Sequence, residues 1–168
     1  PAYPVRSFIY EACVESLADA LDAEQRGAHR IELCSALDQD GLTPSRDLIG
    51  ECRRRLSIPI MVMIRPRGGD FVYSDDEVAQ MADEIAFCKR SGVAGVVFGL
   101  LTPDGAIDGK NTERLVRAAL PLDITFHKAI DYSVDVMASF ARLNSIDGIT
   151  RVLTSGGCAT AWEGRETL

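Results

Sequence analysis

Residues Ser74 to Phe98 read SDDEVAQMADEIAFCKRSGVAGVVF. Val78, Met81, Ile85 and Cys88 recur within this stretch at helical spacing, so one apolar stripe runs along a helix from Ser74 to Ser91. Ser74 with Glu77 three residues on has the form of a capping box at its start, and Gly92 offers the left-handed residue that ends it. The pattern then switches to the short apolar run Gly95 to Phe98, which has the length of a buried strand. A helix that hands over to a buried strand through a glycine turn is half of a βαβ unit.

The same alternation extends in both directions. Further strands are expected at Ser7 to Ala12, Arg30 to Leu33, Ile60 to Ile64, Asp123 to Phe126 and Arg151 to Thr154, with another helix at Ser45 to Leu56 and a helix end at Gly27. Strand starts recur about every 23 to 35 residues, the period of a βα unit, which implies an α/β fold with a parallel sheet built by right-handed crossovers. An open doubly wound sheet and a barrel both fit that order. No G-x-G-x-x-G follows the first strand, and polar or reactive residues end almost every strand, so a TIM-type (β/α)8 barrel is the expected architecture. A complete barrel takes about 200 residues or more. The 168 residues, read as a single domain over 1–168, are expected to hold about six βα units, with a last helix opening at Cys158 to Leu168. Unpaired strand edges seek partners, so association through the open sheet is a further expectation.

Composition narrows the function. With 46% apolar and 26% charged residues the chain is an ordinary globular one, and its net charge of −7 repels phosphate backbones, so nucleic acid is not an expected partner. The short run Arg53–Arg55 reads as a solvated helix face. No stretch approaches the roughly 18 apolar residues of a membrane span, and the opening PAYPVRSF lacks the apolar core of a signal peptide. Five cysteines, an odd number spread through a regular α/β pattern, read as reduced thiols in the cytoplasm.

The chemistry-bearing residues gather at strand ends. The first two strands carry a repeated E-x-C, Glu11-Ala12-Cys13 and Glu32-Leu33-Cys34, and alternation along a strand points the Glu and Cys of each pair to one side. If these strands are neighbours, two thiols and two carboxylates meet at the barrel mouth. Two thiolates suit Cu(I) better than the oxygen-seeking Mg²⁺ or Ca²⁺, and zinc wants four ligands; the alternative is two small apolar residues at strand ends. Cys52 and Cys88 read as helix residues buried against the sheet, and Cys158 follows a turn.

Glu11 and Glu32 also admit an acid–base reading, because carboxylates held close do not both ionise easily. After the third strand come Arg65-Pro66-Arg67-Gly68-Gly69-Asp70-Phe71, two guanidiniums and two glycines fit to grip an anion, with neutralisation of Glu11 or Glu32 as the other role for Arg65. His127 ends the fifth strand beside Lys128, whereas His29 precedes a strand and belongs to the opposite, stability-bearing rim. Thr154-Ser155-Gly156-Gly157 ends the sixth as another anion-type loop or an ordinary turn. The site set is thus Cys13 and Cys34 for metal; Glu11, Glu32 and His127 for proton transfer; and Arg65, Arg67, Gly68, Gly69, Thr154 and Ser155 for a small anionic substrate. Two functions compete: a Cu(I)-binding protein, and a metal-independent barrel enzyme acting on a small anion.

The segments Arg30–Ser35, Gly41–Ser45, Val62–Tyr73 (VMIRPRGGDFVY), Val97–Gly99 with Leu101–Gly105, Thr125–His127 and Leu153–Gly156 together resemble the CutC copper-homeostasis family. That resemblance implies a cytoplasmic TIM-type barrel linked to copper handling, able to bind Cu(I) and commonly a homo-oligomer, with the family's copper-binding cysteines matching Cys13 and Cys34. The sequence departs from the family pattern at Lys128 and Ile130, where Arg and Phe are usual, and at Gln39-Asp40, which replaces a small residue and Gly.

Overall fold

The computed structural model describes residues 8–168. Six strands alternate with five helices: β1 (Glu11–Val14), α1 (Leu17–Gln25), β2 (Arg30–Leu33), α2 (Arg46–Arg55), β3 (Ile60–Met63), α3 (Asp75–Ser91), β4 (Gly95–Phe98), α4 (Gly109–Ala119), β5 (Asp123–Phe126), α5 (Val136–Asn144) and β6 (Arg151–Val152). All pairings are parallel and the strand order is β1-β2-β3-β4-β5-β6. A doubly wound sheet reverses its strand order at a switch point; this one never does. It is a half-barrel of the TIM type.

The strands β2, β4 and β5 keep their expected bounds, and Ser7 of the first expected strand lies outside the described residues. The ladder of β1 runs on to Val14, so Cys13 sits inside the strand rather than beyond its end. The expected helix at Cys158 to Leu168 does not form; turns occupy that segment. Most of its residues are exposed, and a helix this short needs an apolar face packed on something to persist.

Alternation sorts each strand onto two faces. Ile31, Leu33, Ile60, Val62, Ile64, Val96, Phe98 and Ile124 point outward into one large apolar cluster with Ala20, Ile49, Cys52, Val78, Met81, Ile85, Cys88 and Leu115 of the helices. The buried Cys52 and Cys88 are core residues, as expected. The opposite, concave face carries Glu11, Cys13, Glu32, Met61, Met63, Val97 and Thr125, with Cys34, Arg65 and His127 just beyond the strand ends.

The capping box at α3 is present: the Ser74 hydroxyl accepts from the Glu77 N–H, and the Glu77 carboxylate accepts from the Ser74 N–H at 2.8 Å. Gly92 closes the same helix at φ 71°, in the left-handed region. Ser74→Ala is expected to lower unfolding free energy by about 1 kcal/mol, read as a lower urea midpoint with an unchanged slope.

Candidate metal centre at the strand ends

Register decides which of the two E-x-C pairs meet. Cys13 pairs with Glu32, and Glu11 lies one step lower against Arg30. The expected meeting of two carboxylates and two thiols is therefore corrected to a three-member cluster, because the ladder is offset by two residues. The Cys13 and Cys34 sulfurs are 3.7 Å apart, and each lies within hydrogen-bond reach of one Glu32 oxygen, at 3.8 Å and 3.7 Å respectively. These ligand atoms all lie within 4.8 Å of one another. Glu11 instead forms an ion pair with Arg30.

The burial of the cluster is graded: Cys13 is exposed, Glu32 is 6% exposed and Cys34 is fully buried. Burial, then the nearby Glu11 carboxylate, pushes the Glu32 carboxyl up to about 7. With Cys34 as donor, the hydrogen bond between the sulfurs holds the Cys13 thiol below its ordinary value, against burial and the Glu32 charge. That same bond, and then burial, pushes the Cys34 thiol up. Cys13 is thus the first thiol to ionise.

A carboxyl raised on folding binds its proton more tightly in the folded chain, so its favourable contribution is complete below the unfolded value near 4.3 and is lost as pH rises through about 7. Glu32→Gln is expected to remove that loss, so that the variant gains on the wild type by on the order of 2–3 kcal/mol between pH 5 and pH 8. Denaturant melts at both pH values check it; parallel pH profiles would contradict it.

The other expected site residues have partners within the chain. Arg65, 3% exposed, donates to the backbone carbonyls of Gln39, Gly41 and Gly69 at 2.8, 3.3 and 3.0 Å and stacks on Phe71. Among the described residues it forms no ion pair with Glu11 or Glu32. It pins the loops after β2 and β3 together. Arg67 pairs with Asp70 and Glu77 and donates to the Val72 carbonyl. Gly69 takes φ 84°, which turns its carbonyl toward Arg65, and a side chain on Gly68 would press on Gln39.

The Thr154–Gly157 loop does grip an anion, but one from this chain. Asp131 accepts from the Thr154 hydroxyl at 2.5 Å and from the N–H groups of Ser155 and Gly157 at 2.9 and 2.8 Å. His127, 2% exposed, accepts the Ala129 N–H at Nδ1, which leaves its proton on Nε2, a buried donor with no partner. Burial, then the Arg65 charge, pushes it down to about 3, so it is neutral at ordinary pH. His29 accepts the Tyr10 N–H, at the opposite rim as expected. The two departures from the family pattern meet each other: Lys128 forms an ion pair with Asp40 at 2.7 Å.

Sequence reading missed Met61 and Met63, whose M-x-M alternation in β3 places both on the same concave face; it marks Asp131 only as a carboxylate a few residues beyond His127, without its partner loop. Alternation was the available signal for the methionines; nothing local marks Asp131 as the occupant of a loop more than twenty residues away.

Fold and site together define a half-barrel of the TIM class whose first two strands bring two thiols and a buried carboxyl to one point. The CutC family profile matches residues 8–168, and the chain belongs to that family. It is 46% identical to the human copper homeostasis protein cutC homolog, over 94% of this chain and 57% of that protein. Identity is also 46% to a CutC family protein of Xylella fastidiosa, over 94% of this chain and 59% of that one. The chain thus spans less than two thirds of the length of these curated relatives. The structure of the CutC copper homeostasis protein of Streptococcus agalactiae superposes with a TM-score of 0.89 at 33% identity, covering 96% of this chain and 80% of that one. A phosphonomutase-type structure from Burkholderia cenocepacia, TM-score 0.64 at 16% identity, shares the fold alone. No helix among the described residues is long and apolar enough to cross a membrane.

Proposed function

We propose that this chain takes part in copper homeostasis and binds Cu(I), as cargo, through the thiolates of Cys13 and Cys34 in the reducing cytoplasm. The observation that carries this reading is the 3.7 Å approach of the two sulfurs beside a buried carboxyl. Soft thiolates select Cu(I), whereas a structural zinc ion asks for four ligands and Ca²⁺ or Mg²⁺ for oxygens. The alternative use of a thiol pair, a disulfide, is disfavoured by register. Cys34 lies two residues beyond the partner of Cys13, which puts the Cα atoms roughly 8 Å apart in a regular sheet, outside the span a disulfide bridges without backbone movement.

Binding releases both thiol protons: Cu⁺ plus two RSH gives Cu(SR)₂⁻ plus two H⁺. A competition titration against a Cu(I) chelator under anaerobic conditions is expected to give one Cu(I) per chain, with affinity that rises with pH. Saturation with no competition against a chelator of micromolar affinity would overturn the reading.

A second reading has its own observation. A cavity of about 400 Å³ at the loop ends is lined by Arg65, Gly69, Phe71, Thr102 and Tyr132, with Asp40 and Asp70 also on its wall and Glu32 and His127 outside it, and the Nε of Arg65 and the Nε2 of His127 are buried donors without partners among the described residues. A small anionic substrate fits such donors. In that reading Glu32, at about 7, is the acid–base group, and the neutral His127 donates a hydrogen bond. Binding of small dicarboxylates that survives Cys34→Ser would favour it.

A further inference from the structure

The concave wall beside the thiols is made of sulfur. Register places Glu32 opposite Met61 and Leu33 opposite Val62, and Cys34 and Met63 are the next residues beyond that last pair. Cys34, Met61, Met63 and Val97 form a buried cluster of their own, separate from the large core behind the sheet. Barrel interiors are commonly filled by Val, Ile and Leu; here two of the three inner positions next to Cys34 are thioethers. Gly41 fixes how closely they sit. At φ 84°, it brings its Cα over the pair, so that a Cβ there would lie 3.2 Å from the Cys34 sulfur and 3.7 Å from the Met63 methyl.

The spacing of the thiols calls for a further ligand. Two metal–sulfur bonds of about 2.3 Å reach about 4.6 Å when collinear, so sulfurs that kept their 3.7 Å separation would hold an ion at a bent angle with one side open. Glu32 is a hard oxygen donor, ill matched to Cu(I), whereas a thioether is soft. Met61 has another contact, since its sulfur accepts from Arg151 at 3.5 Å. Met63 is 4% exposed and lies on the Cys34 side.

We infer that Met63 supplies a thioether as third ligand to Cu(I) held by Cys13 and Cys34, making the site a three-sulfur one. The inference rests on the Cu(I) reading above. Ligation by the thioether displaces no proton, so the proton count of binding stays at two. Met61 acts as packing, and Glu32 stays outside the coordination sphere, within reach of both thiols.

The test is selenium-edge X-ray absorption on selenomethionine-substituted protein loaded anaerobically with one Cu(I) per chain, alongside copper-edge spectra of the same samples. A copper neighbour of selenium is expected in the wild type and in Met61→Leu, and is expected to vanish in Met63→Leu, a volume-conserving swap that cores tolerate. Met63→Leu should also bind Cu(I) about tenfold more weakly in the chelator competition, the low end of what partners around a metal contribute. Copper-edge spectra with thiolate sulfur but no selenium–copper contact in the wild type would overturn the inference while leaving the thiolate site standing. Copper-edge spectra without thiolate sulfur would overturn both.

Discussion

Cys34→Ser is expected to weaken Cu(I) binding by more than 100-fold and to leave the fold in place. Cys34 has no exposed surface and its sulfur lies 3.7 Å from that of Cys13, so no other group can take its position without moving the strand. A serine hydroxyl is a hard donor with little affinity for Cu(I). Groups that merely orient metal ligands contribute 10- to 100-fold, and loss of one of the two thiolates exceeds that. Competition with a Cu(I) chelator, run side by side on both proteins, measures the effect; equal affinities would remove Cys34 from the site.

Arg65→Met should destabilise the protein by about 3–5 kcal/mol, because three backbone carbonyls lose a charged donor. The long apolar stem is retained, but the carbonyls of Gln39, Gly41 and Gly69 lose their donor, and hydrogen bonds to charged groups contribute about 1.5–3 kcal/mol each. In a chain of this size that amounts to a fall of roughly 10 °C in Tm. The consequence reaches the metal centre through Gly41, which packs over the Cys34 sulfur: once freed, the loop no longer fixes that thiol. A Tm within about 2 °C of wild type would show that the guanidinium is not needed as a strut and is free to serve a ligand.

The half-barrel was legible because its signals are periodic. The stripe of Val78, Met81, Ile85 and Cys88 and the short apolar run Gly95 to Phe98 each report burial over several residues, and both elements formed where expected. The Ser74–Glu77 box was legible because its hydrogen bonds are local. Alternation was enough to turn Cys13 and Cys34 toward the same side. It was not enough to set the register of a parallel pair, since an offset of two residues keeps every side chain on its own face; hence Glu11 stands against Arg30 instead of beside Glu32.

Arg65 and the Thr154–Gly157 loop show a second limit. Their residue types announce anion binding, yet which acceptor they meet depends on loops that no local pattern encodes: three carbonyls for the guanidinium, and Asp131 for the loop. The segment Cys158 to Leu168 shows a third, because composition permits a helix there but most of its residues stay exposed and no apolar face is buried. Met61 and Met63 fall inside an expected strand, and only register places Met61 across from Glu32.

One Cu(I) ion is expected between the sulfurs of Cys13 and Cys34. A crystal grown anaerobically with Cu(I), with diffraction data collected on both sides of the copper absorption edge, tests it directly. A single anomalous peak is expected within bonding distance of both Cys13 Sγ and Cys34 Sγ. A peak bound elsewhere, or none at full copper loading, would contradict it.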